Sequence, residues 1–399
     1  MLPTEKEYLD SSIIKTFRET IDSSPIFEEQ EKYKHLYNLI CVFMDRIDSS
    51  VQFLNMHSDY PKSEEEFINF LVYAAILRDG IEKLFENIFN KKPPYITEKK
   101  YFADAACNLK PFFSAQTCPT DDNFFEYIRS MAFAHPYETS FRGDKRPFMQ
   151  RGEIHYCPWV IVNKTVAVFS GINDGVGIRF YTKLNEESIN SIVFSFSKLK
   201  EYIAARYQCI CNLTKWAKAG IAVQTQQWLQ TKVRRDQEPI FVFHDIKNIL
   251  ESRYESTFSI DRAIAFLKCT LSDARNEANV SIFRDAIIRV LPHVCICVDN
   301  LDYNGMERML DILYIRPRQM HQMANYQLEK IFTYLDTRSE TIDPNSNEYW
   351  GLLQAYEFSQ EFAKKWVTIN IRDMSYDEIK LLVCTACYLE AKEQEEAKL

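Results

Sequence analysis

Glycine is scarce in this sequence, with nine residues among 399, whereas about 7% is usual in globular proteins. This scarcity argues against glycine-rich phosphate loops and against folds built from many tight turns. The sequence also lacks GxxxxGK[ST], GxGxxG, HExxH and GxSxG. The simplest nucleotide-binding, zinc-protease and serine-hydrolase interpretations are therefore removed.

Long apolar runs are missing as well. No stretch approaches the 18 apolar residues that a membrane-spanning helix needs. The first residues, MLPTEKEYLDSS, are polar and acidic and lack the basic and apolar regions of a secretory signal. We therefore expect a cytoplasmic protein that has no membrane partner.

Metal-binding patterns are equally sparse among the eleven cysteines. In a chain without a secretory signal, we expect these cysteines to be reduced thiols. Only Cys384 and Cys387 have CxxC spacing, and they lie in an apolar helical run, which favours buried structural thiols over zinc. His155 and Cys157 are too isolated to predict a metal site. We expect neither a metal nor a cofactor.

The balance of charge limits the kinds of partner. The chain carries 48 Lys and Arg against 56 Asp and Glu, a formal net charge of −8. The chain as a whole is therefore not a polybasic nucleic-acid binder.

Most of the sequence has helical periodicity, which predicts a mainly α protein. Residues 1–150 are expected to form an N-terminal helical bundle, because apolar residues recur there at spacings of three and four. The predicted helices cover residues 29–56, 63–88 with a capping box at Ser63 and Glu66, about 100–114 with a break at Pro111, and a last helix capped by Asp121 or Asp122.

A short β segment interrupts this pattern. IHYCPWVIV, TVAVFSGI and VGIRFYT are rich in β-branched and aromatic residues, and Asn173-Asp174-Gly175 between the last two is typical of a hairpin turn. We expect two or three strands, in a β-hairpin insert over residues 151–184.

Helical periodicity returns at residue 185 and predicts an all-helical domain over 185–399. Its last helix opens with a second capping box, Ser375 with Glu378. Pro239 and residues 343–346 are predicted loops. The domain has no recognisable catalytic motif, so by elimination we expect it to act in sensing, dimerisation or partner binding.

The residues that point to chemistry lie in NFFEYIRSMAFAHPYETS, residues 123–140. Arg129 precedes His135 by six positions, and Pro136 follows the histidine. An imidazole exchanges protons at neutral pH, and a guanidinium can hold a phosphate with two hydrogen bonds. On a regular helical wheel, however, His135 lies near Phe124 on the apolar face, which favours a buried His135 and a solvated Arg129. Pro136 disfavours helical geometry at His135 and could release the imidazole.

With the bundle before it, this stretch resembles the HEPN superfamily of helical-bundle ribonucleases, over about residues 25–140. The family motif is an arginine, four to six residues, and a histidine that is often followed by proline. The resemblance implies metal-independent RNA cleavage, with Arg129 and His135 as catalytic residues in a site formed where two copies meet. It also implies a homodimer, a toxin or abortive-infection role in antiviral defence, tRNA or another RNA as the substrate, and a possible antitoxin or defence-system partner.

Two features qualify the match. Ser130 follows the arginine, where the family often has Asn, Asp or His, and this weakens the prediction of full activity. Arg316 and His321 have similar spacing by chance, but Pro317 follows that arginine at once in a loop-like setting.

Basic residues follow the motif. Residues 91–151 contain ten Lys and Arg against seven Asp and Glu. Arg142, Lys145, Arg146 and Arg151 are the candidate RNA-binding residues, since cations after the motif could hold phosphates; an ordinary solvated loop is the alternative. A second basic and aromatic stretch, WAKAGIAVQTQQWLQTKVRR, is more typical of amphipathic helices with a charged outer face.

Two other functions stay open. The chain could be a non-catalytic interaction or scaffold protein with a degenerate HEPN-like bundle. It could also bind a nucleotide or small ligand at the Arg129 and His135 cleft without chemistry.

Overall fold

The computed structural model describes residues 7–107, 118–140, 142, 149, 151–163, 170–183, 185–336, 343 and 345–397, with the backbone alone at 106, 107 and 185–188. The prediction of a mainly α protein with a small β segment is confirmed. Internal contacts divide the chain into two compact units, Met1–Ala222 and Val223–Leu399.

The first unit contains most of the helices around the motif. They are α1 (Ser12–Asp22), α2 (Ile26–Glu29), α3 (Glu31–Met56), α4 (Glu64–Phe89), α5 (Ala103–Cys107), α6 (Asp121–Arg129), α7 (Phe196–Tyr207) and α8 (Ile210–Gln230). A 3₁₀ turn covers Pro94–Thr97, and a π-helical turn covers Ser130–Ala134. The division between the units falls within α8.

The two long helices match their predicted spans. Ser63 caps α4 as expected, because its Oγ accepts a hydrogen bond from the N–H of Glu66 at 3.2 Å. The predicted cap of α6 is wrong by one or two residues: Thr120 Oγ1 accepts from the N–H of Asn123, and Asp121 is the first helical residue. Helix α5 covers only part of the predicted helix at 100–114, and residues 108–114 lie outside the described part.

The β segment is a four-stranded antiparallel sheet in the order β1-β2-β3-β4, and so has more strands than predicted. The strands are β1 (Thr139–Ser140), β2 (Ile154–Ile161), β3 (Gly175–Thr182) and β4 (Asn185–Ser195). The expectation that helical structure resumes at residue 185 is wrong, because β4 occupies that stretch and helix returns at Phe196. Of the strand predicted over 165–172, residues 165–169 lie outside the described part, and 170–172 are not in a strand.

Aromatic packing explains why β4 joins the sheet. Ile192 and Phe194 alternate with less buried residues, the period of a strand with one buried face. The ring of Phe194 lies 6.1 to 6.3 Å from the rings of Phe67, Phe102 and Phe124. The sheet is thereby held against the helices that carry the motif.

The residues Asn173-Asp174-Gly175, predicted to form a hairpin turn, instead lead into β3 and contact the end of β4. These residues end the connection between β2 and β3, and β3 begins at Gly175. Asp174 Oδ2 accepts hydrogen bonds from Ser195 Oγ at 3.0 Å and from the N–H of Ser197 at 2.6 Å. The carboxylate therefore fixes the junction between β4 and α7.

All regular secondary structure in the described residues of the second unit is helical. Its helices are α9 (Pro239–Ser252), α10 (Phe258–Lys268), α11 (Glu277–Asp299), α12 (Tyr303–Leu310), α13 (Ala324–Tyr334), α14 (Asn347–Glu361) and α15 (Tyr376–Glu396), with 3₁₀ turns at Ala274–Asn276, Asp311–Tyr314 and Ala363–Lys365. The Ser375 cap is confirmed by a 3.1 Å hydrogen bond from the N–H of Glu378. Pro239 is not in a loop but begins α9, a position where its missing N–H costs no hydrogen bond.

The cysteine prediction is partly corrected. Cys384 and Cys387 are buried thiols as expected, and burial raises the pKa of Cys384 to about 12. The expectation that all cysteines are reduced is wrong, because Cys118 is disulfide-bonded. A disulfide depends on which thiols meet in the fold, and the spacing along the sequence does not reveal this.

Among the described residues, no helix is long and apolar enough to cross a membrane. That part of the chain also contains no group of three or more His, Cys, Asp or Glu side chains placed to hold a metal ion.

Candidate functional site

Helix α6, which carries Arg129, is firmly anchored at its start. The carboxylate of Asp121 accepts hydrogen bonds from the N–H groups of Lys100, Tyr101 and Phe102 at 2.8 to 3.0 Å. Phe124 and Phe125 are fully buried. The position of the motif is therefore set by both polar and apolar contacts.

A change of helix type lies between the two motif residues. Helix α6 gives way to a π-helical turn at Ser130–Ala134, where the N–H of His135 donates to the carbonyl oxygen of Ser130 at 2.8 Å. His135 then leaves helical geometry, with φ −146° and ψ 54°. Because a π turn adds a residue to the helical repeat, side chains beyond it no longer follow the 100° wheel. His135 is consequently exposed: of the two alternatives for this residue, burial on the apolar face is wrong, and the end of the helix next to Pro136 is what the structure has.

The backbone of His135 is held in place although its ring is exposed. Thr139 Oγ1 donates to the carbonyl oxygen of His135 at 3.0 Å and lies 2.9 Å from Ser130 Oγ. Both hydroxyl-bearing residues are buried. Strand β1, which contains Thr139, pairs with β2. The loop that presents the imidazole is thus tied to the end of α6 and to the sheet.

A cation lies beside the imidazole. Nη2 of Arg142 is 3.5 Å from Nε2 of His135, and both side chains are exposed. A guanidinium only donates hydrogen bonds, so Nε2 is the accepting nitrogen in this long contact. An accepting nitrogen next to a fixed positive charge is an arrangement that can take a proton from a hydroxyl close to an anion.

Arg129 lies in a different environment. Its Nη1 is 3.0 Å from Oε1 of Glu126 and 3.3 Å from Oδ2 of Asp79. The buried guanidinium of Arg78 pairs with the same two carboxylates. Two guanidinium groups and two carboxylates therefore share one cluster, and Arg129 is half-buried and ion-paired rather than solvated as the helical wheel favoured.

Electrostatics hold this cluster together. Burial disfavours the charge on Glu126, but Arg78 and Arg129 outweigh that effect, so the pKa of Glu126 is below its ordinary value. Arg129 Nε is buried and has no hydrogen-bond partner among the described residues. Nη1 of Arg129 thus pairs with the neighbouring carboxylates, whereas Nε makes no hydrogen bond to them.

Arg129 also borders a groove of about 370 Å³ on the face formed by α3 and α4. The floor is apolar, with residues such as Phe43 and Ile76, and Arg46 and Lys83 add positive charge to the lining. Phe133 is part of the lining, whereas His135 is not among the described residues that form it. The structure places Arg129 at the end of α6 and His135 just after the π turn, but the described contacts do not join their side chains.

The predicted RNA-binding residues are only partly described. Arg142 lies beside His135. Arg151 is exposed in the turn before β2, where Gly152 adopts φ +87°. Lys145 and Arg146 lie outside the described residues.

Other residues around the motif were not anticipated. Tyr127 Oη and Glu153 Oε1 each lie 2.6 Å from a ring nitrogen of His155, and all three side chains are buried. His155 pairs with Thr139 across β1 and β2. His155 therefore fixes β2 beneath the motif loop. The sequence did contain one indication of the ion-pair cluster around Arg129. Arg78 and Asp79 are adjacent charged residues inside an otherwise apolar stretch of α4.

Two arginines of the other basic stretch are neutralised by carboxylates. Trp216 packs against Phe27 within the first unit, with ring centroids 5.6 Å apart. Within the second unit, Arg234 pairs with Asp245, and Arg235 pairs with Asp299. These ion pairs support a structural interpretation of the stretch.

No protein-family model, curated protein or solved structure matches the chain.

Proposed function

We propose that the first unit is a metal-independent endoribonuclease of the HEPN type, in which His135 is the acid and base. The observation that carries the proposal is the exposed imidazole at the end of the π turn, with the Arg142 guanidinium 3.5 Å from its Nε2. His135 has no role in the apolar core, yet buried hydrogen bonds fix its backbone. This combination is expected of a positioned proton-transfer group.

The chemistry follows from the RNA backbone. Nε2 of His135 takes the proton of a ribose 2′-hydroxyl, and the 2′-oxygen attacks the adjacent phosphorus. The new oxygen–phosphorus bond forms as the bond to the 5′-oxygen breaks, and the leaving 5′-oxygen takes up the proton that the His135 imidazolium gives back. The products are a 2′,3′-cyclic phosphate and a 5′-hydroxyl. A guanidinium from Arg142 or Arg129 stabilises the negative charge that grows on the phosphate oxygens.

A homodimer is part of the proposal. Nη1 of Arg129 pairs with Glu126 and Asp79 within its own chain. A second copy would bring another arginine and another histidine to a shared site, as the resemblance implies. A toxin or antiviral defence role, a tRNA substrate and an antitoxin partner belong to the same proposal.

The test is cleavage of total RNA and of tRNA by purified protein in the presence of EDTA. Wild-type protein should cleave, and His135→Ala should lose activity at least about 100-fold, which is the usual contribution of general acid–base catalysis. Cleavage products should carry 2′,3′-cyclic phosphate ends. Equal cleavage by His135→Ala would place the activity elsewhere or in a contaminant.

Matched variants separate chemistry from folding. His35→Ala removes another exposed histidine of the same unit. Arg18→Ala is the control for Arg129→Ala, because Arg18 is 32% exposed and pairs with Asp45 and Asp48, much as Arg129 is 30% exposed and pairs with Asp79 and Glu126. Far-UV spectra should match for all variants.

A second candidate is the non-catalytic interaction protein. The ion pairs of Arg129 with two carboxylates favour it, because they give this arginine a structural role. In that case wild-type protein cleaves no RNA, and Arg129→Ala and Arg18→Ala lower stability to a similar extent.

A further inference from the structure

A small basic pocket lies in the second unit, and its lining contains no residue of the proposed cleavage site. It has a volume of about 270 Å³, just below the range of about 300–1,000 Å³ that is usual for ligand pockets. One wall is the loop over residues 315–318, and the other is the C-terminal part of α15, from Tyr388 to Glu395.

The pocket carries an excess of positive charge. Arg316, Arg318 and Lys392 line it, against the single carboxylate of Glu395 among its described lining residues. Both arginines are exposed, and neither has a carboxylate within 4 Å in the described part of the chain. Other arginines of the unit do have such partners, including Arg234, Arg235 and Arg275. The two pocket arginines are therefore available to an anion from outside.

The loop that presents the arginines is fixed before any ligand binds. Gln394 on α15 makes two hydrogen bonds to the backbone of Gln319, accepting from its N–H at 3.0 Å and donating to its carbonyl oxygen at 2.9 Å. Pro317 is buried between the two exposed arginines and restricts the backbone. The Cys384 thiol donates to the carbonyl oxygen of Leu313 at 3.2 Å and holds the turn that precedes the loop. A fixed loop loses little conformational entropy when a ligand binds.

We propose that this pocket binds a phosphate monoester, with Arg316, Arg318 and Lys392 around the phosphate. Guanidinium groups match a phosphate with two parallel hydrogen bonds, and an ammonium adds a point charge. Tyr388 belongs to the apolar part of the lining, together with Ile315 and Ala391, and packs on Phe283 at a ring-centroid distance of 5.4 Å. Glu395 can accept a hydrogen bond from a ligand hydroxyl. A mononucleotide and a sugar phosphate both offer this chemistry.

The size and charge of the pocket favour a small ligand over a polymer. A nucleic-acid backbone is recognised by many cations along an extended surface. Here three cations line one small pocket, of which Lys392 lies 3.8 Å from a carboxylate oxygen of Glu396, and the whole chain is acidic at −8. This binding does not depend on the proposed RNA cleavage.

Isothermal titration of the full-length protein tests the inference, with inorganic phosphate, glucose 6-phosphate and adenosine monophosphate as separate probes. Wild-type protein should bind at least one of the two esters more tightly than inorganic phosphate, and the stronger ester identifies the ligand type. The double variant Arg316→Ala/Arg318→Ala should bind that ester at least tenfold more weakly. Gln394→Ala should weaken binding to a lesser extent, because it frees the loop.

The control is Arg289→Ala/Arg308→Ala, which removes two exposed arginines of the same unit outside the pocket lining. It should bind like wild type, and both double-arginine variants should keep the wild-type melting temperature without ligand. Absence of ester binding by wild type would overturn the inference, and so would equal weakening by the control pair. Binding of a polyanion such as heparin without either ester would also overturn it, because it would identify a polymer-binding surface.

Discussion

The two arginine–histidine stretches have similar spacing but opposite surroundings. In the first unit, Arg129 is tied to Glu126 and Asp79, while His135 is exposed. In the second unit, Arg316 is exposed, while His321 is half-buried, with Nε2 at 2.7 Å from Gln327 Oε1 and 3.0 Å from Glu361 Oε2. Spacing along the chain therefore does not decide which side chain is available for chemistry. The local backbone and the nearest carboxylates decide it.

The strongest test of this difference is to replace each histidine in turn and measure RNA cleavage. His135→Ala should reduce RNA cleavage at least about 100-fold, because the exposed imidazole is the proposed proton-transfer group. His321→Ala should leave cleavage within twofold of wild type, because its ring is committed to Gln327 and Glu361. Initial rates on one tRNA substrate with EDTA would measure both. A loss in His321→Ala that equals the loss in His135→Ala would show that the two stretches do not differ as proposed.

Removal of each arginine compares their structural roles. Arg129→Ala should lower the free energy of unfolding by about 1–2 kcal/mol, because it takes one cation from a partly buried cluster. Arg316→Ala should change it by less than about 0.5 kcal/mol, as is usual for an exposed side chain without an ion pair. Urea denaturation with matched m-values would measure the difference. Equal losses of unfolding free energy in the two variants would contradict the contrast between the ion-paired Arg129 and the exposed Arg316.

Acid should weaken the cluster around Arg129. Since the pKa of Glu126 is lower in the folded protein than its ordinary value, the unfolded chain binds more protons as the pH falls. The stabilising contribution of Glu126 is fully present above its unfolded pKa and is lost as the pH drops through the folded pKa. Glu126→Gln should therefore lower stability at pH 7 and reduce its decline between about pH 5 and pH 3. Urea unfolding across that range would check the sign, and an unchanged pH profile would contradict it.

The smallest expected effect concerns Ser130. Ser130→Ala removes the hydrogen bond to Thr139 and should cost about 1 kcal/mol of stability. Cleavage should fall by several-fold only, since the alanine loosens the His135 loop but leaves the imidazole in place. Parallel measurements of unfolding and of initial rates would separate the two effects. A complete loss of cleavage in a stable variant would instead give the Ser130 hydroxyl a direct part in the chemistry.

Local patterns predicted the elements that depend on nearby residues. The helices at 31–56 and 64–89 and the caps at Ser63 and Ser375 depend on spacings of three and four residues, and these were predicted. Strand β4 was not predicted, because its pairing with β3 and the packing of Phe194 involve distant residues. Pro239 was misassigned because a proline is compatible both with a loop and with the first turn of a helix.

The candidate site shows the same limit. Arg129 and His135 could be named from the sequence, together with a possible release of the imidazole by Pro136. The π turn could not be predicted, because a single extra residue in the helical repeat depends on how the helix end packs. The pairing of Arg129 with Asp79 could not be predicted either, because fifty residues separate them along the chain.

By itself the sequence determined a mainly α protein, most of its long helices and the residue types available for chemistry, because periodicity and capping act over a few neighbouring positions. Only the tertiary structure decided which of those side chains are exposed and which are paired. Burial, ion pairs such as Arg78 with Glu126, and the sheet beneath His135 arise from contacts between distant segments. These contacts set the free energy of each charged group, and no local pattern records them.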